Sequence, residues 1–117
     1  MRYAPYDKHE IALKIKDYVL TQRNYRRFDI TSASTAKELR IARSTLIKVM
    51  SEEMHTTFAQ YLNLCRVHRA RHMIVTAKKE IDLVHVAFIS GYATKETLIR
   101  KYQEQYGDLQ KFVDNLN

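Results

Sequence analysis

"SGYATKETLIRKY", Ser90–Tyr102, reads as a turn followed by a helix. Gly91 ends one element, since glycine enters a left-handed conformation without a steric cost. Thr94 can begin the next by offering its hydroxyl to a free first-turn amide. That helix sets Lys95, Glu96, Thr97 and Arg100 among Leu98, Ile99 and Tyr102. One side is apolar, and the other carries cations and hydroxyls. Upstream, Leu83–Ser90 reads as a short helix with Val86 and Ala87 inside. Downstream, helical character continues to about Tyr106, Gly107 stops it, and a weak last helix spans Leu109–Leu116.

The same pattern occurs once before. "STAKELRIARSTLIKVM", Ser34–Met50, and "VHVAFISGYATKETLIRKY", Val84–Tyr102, are weak internal echoes. Each has an alanine in its first helix, then a break, a threonine-leucine step and a cation two positions on. Thr45, Leu46 and Lys48 answer Thr97, Leu98 and Arg100. Thr31 is placed to cap a helix to about Leu39, and a second helix covers Arg43–Glu53 with Leu46, Val49 and Met50 inward. Two helices across a tight turn, the second bearing small polar and basic residues, form a helix-turn-helix pattern.

Between the echoes lies "HTTFAQYLNLCRVHRARHMIVTA", His55–Ala77. Thr57 is a cap candidate, and the helix runs from Phe58 to about Val75. Phe58, Tyr61, Leu62 and Cys65 mark one side of its first half. Ala70, Met73, Ile74 and Ala77 mark another side of its second half. A helix that buries one side early and another late is suited to joining two lobes. At the other end of the chain, Ile11, Ile15, Tyr18 and Val19 recur at helical spacing between His9 and Arg23, and Asn24–Asp29 reads as a polar connection.

Composition agrees with an all-helical chain. The 117 residues contain two glycines and one proline, too few for a turn-rich β sandwich. A single cysteine, Cys65, forbids an internal disulfide, and no apolar run approaches the length of a membrane span. A cytoplasmic location without membrane contact is expected. The net charge of +7 suggests an anionic partner, either nucleic acid or a membrane surface. Its cations concentrate in Ala36–Met50 and in Gln60–Lys79, where Arg66, Arg69, Arg71, Lys78 and Lys79 meet no acid. That segregation suggests a basic face.

Other chemistries find less support. His68 and His72 have metal-ligand spacing on a helix, without a third ligand, so no metal or cofactor is expected. No glycine-rich phosphate loop or nucleophile motif is present, and an enzyme is not expected. The eight tyrosines invite a single-strand stacking reading, but Tyr18, Tyr61, Tyr102 and Tyr106 fall at core spacings.

From about Ile11 to Phe112 the sequence resembles the DNA-binding domain of AraC/XylS-family bacterial transcription regulators. "TTFAQYLNLCRVHRA" carries the family's tyrosine, arginine and alanine as Tyr61, Arg66 and Ala70. Ala87, Gly91, Tyr92, Arg100, Tyr102 and Gly107 supply a second motif, with tyrosine where the family usually has phenylalanine at 92 and 102. The resemblance implies an all-α chain of two helix-turn-helix subdomains joined by a long linker helix. Residues 8–55 would form the N-terminal lobe, 57–76 the linker and 80–117 the C-terminal lobe of one DNA-binding domain.

It also implies a recognition helix per lobe, in adjacent major-groove segments of double-stranded DNA. The matching positions are Arg43, Ser44, Ile47 and Lys48, then Thr94, Lys95, Glu96, Thr97 and Arg100. Glu96 can accept from a base or pair with Arg100, and Ile47 can meet thymine methyls or turn into the core. Arg66 would make structural hydrogen bonds between lobes. Further partners implied are RNA polymerase and an effector or dimerisation domain outside this chain. A helix-turn-helix scaffold serving only protein interaction is the alternative. Several positions depart from the family pattern. Arg40 and His55 stand where glycine is usual, Ala42 where a cap serine is usual, and Ser32 and Thr35 where core leucines are usual.

Overall fold

The structure, a computed structural model, describes residues 7–116. Seven α-helices and no strand occur among the described residues. They are α1 Lys8–Lys16, α2 Ser32–Glu38, α3 Arg43–Glu53, α4 Phe58–Thr76, α5 Leu83–Ser90, α6 Lys95–Tyr106 and α7 Leu109–Asn115. The all-α expectation holds.

The chain divides into two compact units. The first comprises the residues up to Asn24 together with Asp29–Leu62, and the second takes Tyr25–Phe28 and the residues from Asn63 onward. The first turn of α4 therefore belongs to the first unit and the remainder to the second.

In the first unit α3 packs against both α1 and α2. Its buried side chains include Ile15 and Val19, Ala36, and Leu46, Val49 and Met50. The periodicity from His9 to Arg23 is not one regular helix: α1 closes at Lys16 and the chain winds on as a π turn over Asp17–Thr21. The wider turn keeps both Tyr18 and Val19 buried. Asn24–Asp29 is also more than a polar connection, because Asn24–Arg26 forms a 3₁₀ turn around buried Tyr25. A short 3₁₀ turn leaves too little periodicity to be recognised in a sequence.

The threonine caps are where the sequence puts them, and an aspartate supplies another. Thr31 and Ser34 bond reciprocally at the start of α2, Thr57 and Gln60 do so at α4, and Asp82 accepts from the Val84 and His85 amides of α5. Ala42 at the start of α3 has no oxygen to offer and makes no such bond. Ala42→Ser is therefore expected to raise the unfolding free energy by about 1 kcal/mol, read from a denaturant titration.

The two sequence echoes fold alike. After α2, the Arg40 amide donates to the Lys37 carbonyl and the Ile41 amide to Ala36. After α5, the Gly91 amide donates to Phe88 and the Tyr92 amide to Ala87. Both are Schellman closures, which need a left-handed residue just past the helix. Gly91 adopts φ 105° freely, whereas Arg40 is held at φ 59° and His55, after α3, at φ 54°. A left-handed conformation costs a residue with a Cβ roughly 1–2 kcal/mol. Arg23, after the π turn, is a third such residue at φ 61°, so the first unit carries strain at three positions where glycine would relieve it.

Thr35 is wholly buried and its hydroxyl has no partner. It occupies a position answered in the second unit by apolar Val86. The second core gathers Val67, Ala70 and Ile74 from α4, Val86 and Ala87 from α5, Leu98 and Tyr102 from α6, and Leu109 from α7. Val67 had no place in the sequence stripe, and Ala77, which did, is exposed because α4 has already ended at Thr76.

Candidate nucleic-acid interface

In the first unit α3 turns Leu46, Val49 and Met50 inward, and this sets what it shows to solvent. Arg43, Ser44, Ile47 and Lys48 are all exposed. Ile47 keeps 44% of its surface accessible, so it has not turned into the core. The Arg43 Nε donates to the Ser32 Oγ at 2.9 Å, which fixes the arginine stem across the start of α2. One turn beyond Lys48, the Glu52 carboxyl is held below its usual range, first by a hydrogen bond from Lys8 and to a lesser extent by Lys48.

In the second unit α6 buries Leu98 and Tyr102 and exposes Lys95, Glu96 and Arg100. Thr94 is exposed at its start and accepts from the Thr97 amide. The two hydroxyls also bond to each other at 3.0 Å, so the Thr97 hydroxyl is engaged and its methyl is the freer group. No ion pair joins Glu96 to Arg100 among the described residues. Lys101 instead pairs with Glu104, further along α6.

The arginines of α4 do something the charge pattern did not show. Of the cations expected to form a basic face over Gln60–Lys79, Arg71, Lys78 and Lys79 are exposed, whereas Arg66 and Arg69 are half-buried. The Arg66 Nε donates to the Tyr25 carbonyl at 2.7 Å, and its Nη2 to the Arg27 carbonyl at 2.8 Å. Burial lowers its pKa, opposed by the neighbouring Tyr92. The Arg71 guanidinium lies over the rings of Tyr106, 4.6 Å away, and Phe112, 5.2 Å away. Arg69 is half-buried, and its Nε has no partner. Charge counting cannot distinguish a guanidinium that bonds carbonyls or covers rings from one presented to solvent.

Tyr92 is buried, and its hydroxyl donates to the Asn63 Oδ1 at 2.6 Å. Burial pushes the phenol pKa well above its ordinary value of 10.0, with Arg66 opposing. A raised folded pKa confers stability that is intact below the unfolded value and lost as pH rises through the folded one. Stability should therefore fall from about pH 10 upward, and Tyr92→Phe should make that fall shallower in alkaline melting curves.

His68 and His72 are exposed on α4, and no group of three or more potential metal ligands occurs among the described residues. No helix among them is long and apolar enough to cross a membrane.

A family model described as a helix-turn-helix domain matches residues 35–109. No curated protein matches the chain. Solved structures do resemble it. The C-terminal domain of AraT, a response regulator from Geobacillus stearothermophilus, is 19% identical with a TM-score of 0.79, covering 100% of this chain and 89% of that one. A DNA-binding transcriptional dual regulator from Escherichia coli K-12 is 23% identical with a TM-score of 0.76, covering 99% and 97%. The DNA-binding domain of AdpA, a global transcriptional factor solved in complex with a target DNA, is 14% identical with a TM-score of 0.75, covering 88% and 89%. At these identities the likeness concerns the fold. With the family model running from within α2 to the start of α7, over more than half of the chain, the chain belongs to the AraC/XylS family of helix-turn-helix domains.

Proposed function

We propose that the chain binds double-stranded DNA sequence-specifically as a transcription regulator, with α3 and α6 as its two recognition helices. The observation that carries this reading is the repeated exposure of a polar, cation-bearing side on the second helix of each pair, over an apolar underside. It is a binding role and not an enzymatic one. The AdpA domain's complex with DNA supports it by likeness of fold.

Arg43, Ser44, Lys48 and Lys95 serve chiefly as phosphate contacts that position each helix. Arg100 donates to guanine O6 and N7. Glu96, which has no ion pair with Arg100, accepts from a cytosine amino group. Ile47 and the Thr97 methyl meet thymine methyls, and Thr94 holds the start of α6 at the backbone. Arg66 is structural. A bacterial cytoplasmic setting, RNA polymerase as a partner, and an effector or dimerisation domain outside this chain belong to the same proposal.

Selection of bound sites from a random DNA pool tests it. Arg100→Ala should flatten preference at one guanine, a loss of about 1–3 kcal/mol of discrimination. Lys48→Ala should weaken all sites alike and reduce the slope of log affinity against log salt by about 0.9. Equal affinity for selected and random fragments, or no binding near about 0.1 M salt, would favour the protein-interaction alternative, to which exposed Ile47 and Glu96 are also suited.

A further inference from the structure

A groove of about 620 Å³ opens on the first unit beside α3. Its apolar wall includes Ile30, Ile47, Phe58 and Leu62, and hydroxyl residues supply most of the remainder. The volume lies in the range of small-molecule sites, and the mixture of apolar wall and a few polar groups is typical of them. Arg43 is the only charged residue lining the groove, and no carboxylate accompanies it.

The geometry points to a binding site here for a small apolar monocarboxylate. The Arg43 Nε is tied to Ser32, which also lines the groove, so the guanidinium is oriented before any ligand arrives. Its terminal nitrogens bond no other group among the described residues. A planar carboxylate meets such a guanidinium in a charge-assisted contact. One cation matches one negative charge, whereas a phosphate dianion would leave a charge unmatched. The apolar wall then covers the body of the acid, a gain that an inorganic anion would forgo.

Ligand binding in this groove does not require DNA binding, but one consequence rests on that reading. Arg43 and Ile47 belong both to the groove and to the proposed DNA surface of α3. An acid that engages them competes with DNA, and the coupling is reciprocal.

The test uses the DNA-free chain titrated with 1-naphthoate and followed by amide shifts in nuclear magnetic resonance. Saturable shifts are expected at Ser32, Ile47 and Ala59, with a Kd on the order of 1 mM for an acid of this size. The neutral analogue 1-naphthalenemethanol should bind at least about tenfold more weakly, as should naphthoate to Arg43→Met. Ile47→Glu provides a second variant at an exposed position, where folding is not at stake, and should repel the acid by a similar factor. Absence of saturation, equal binding of the alcohol, or shifts indifferent to Ile47→Glu would overturn the site. A separate DNA titration at saturating naphthoate decides the coupling. Reduced affinity is expected, and unchanged affinity would overturn the competition while leaving the site intact.

Discussion

Gly91→Ala is expected to lower the unfolding free energy by about 3–4 kcal/mol, more than most single substitutions. Two costs add. At φ 105° an alanine is in a backbone region that L residues rarely adopt, worth roughly 1–2 kcal/mol. The new Cβ would also lie 2.5 Å from the Tyr25 carbonyl oxygen and 2.7 Å from the Arg66 Nε. The first of these atoms is backbone and cannot simply rotate away. Either the turn between α5 and α6 opens, or the 25–28 segment shifts and loses its bond to Arg66. Thermal melting and amide exchange should show the second unit loosened. A melting temperature within a degree or two of the parent would mean that the turn is not closed as described.

Arg66→Ala is expected to cost about 2–3 kcal/mol. Hydrogen bonds from a charged donor contribute roughly 1.5–3 kcal/mol. This residue makes two, to the carbonyls of Tyr25 and Arg27, but the second is exposed and water replaces it, so only the first counts in full. Its removal leaves two acceptors, the Tyr25 one in part-buried surroundings, without their partner. The contact with the Tyr92 ring, 5.7 Å from the guanidinium, is lost as well. Lysine should rescue little, because a single ammonium lacks the fixed fork that spans both carbonyls. The Gly91→Ala and Arg66→Ala costs should not add, since the Gly91 Cβ position abuts the Arg66 Nε. A double mutant as unstable as the sum of the singles would separate two features that the structure joins.

Arg66 and Gly91 also show how far the sequence could be followed. Both stand at positions of the family motif, so their importance was visible. What they touch was not. Tyr25 and Arg27 lie about forty residues away in a stretch that reads as a polar connection. Neither helical periodicity nor propensity carries information about which distant carbonyl a guanidinium meets. The basic run of α4 was legible only as a charge sum, for the same reason. Arg66, Arg69 and Arg71 count equally in a charge sum, and only packing distinguishes a carbonyl clamp, a half-buried stem and a cover over Tyr106 and Phe112.

The candidate site was legible in part. Leu46 and Leu98 identify the inward side of α3 and α6, which fixes by helical geometry that Lys48 and Arg100, two residues on, face elsewhere. The state of Ile47, Glu96 and Thr97 was open, because each choice depends on a neighbour. Ile47 is exposed, Glu96 has no ion pair with Arg100, and the Thr97 hydroxyl is taken by Thr94.

The amino-acid sequence alone determined the all-helical class, most helix limits, the threonine caps and the repeated helix-turn-helix. These are local matters of turn residues, capping hydroxyls and a 3.6-residue rhythm. Tertiary structure alone decided where the arginines of α4 go, that Tyr25–Phe28 joins the second unit, and that a groove opens beside Arg43. Those outcomes depend on groups far apart in the chain meeting at hydrogen-bonding and van der Waals distances, and a local pattern does not encode such meetings.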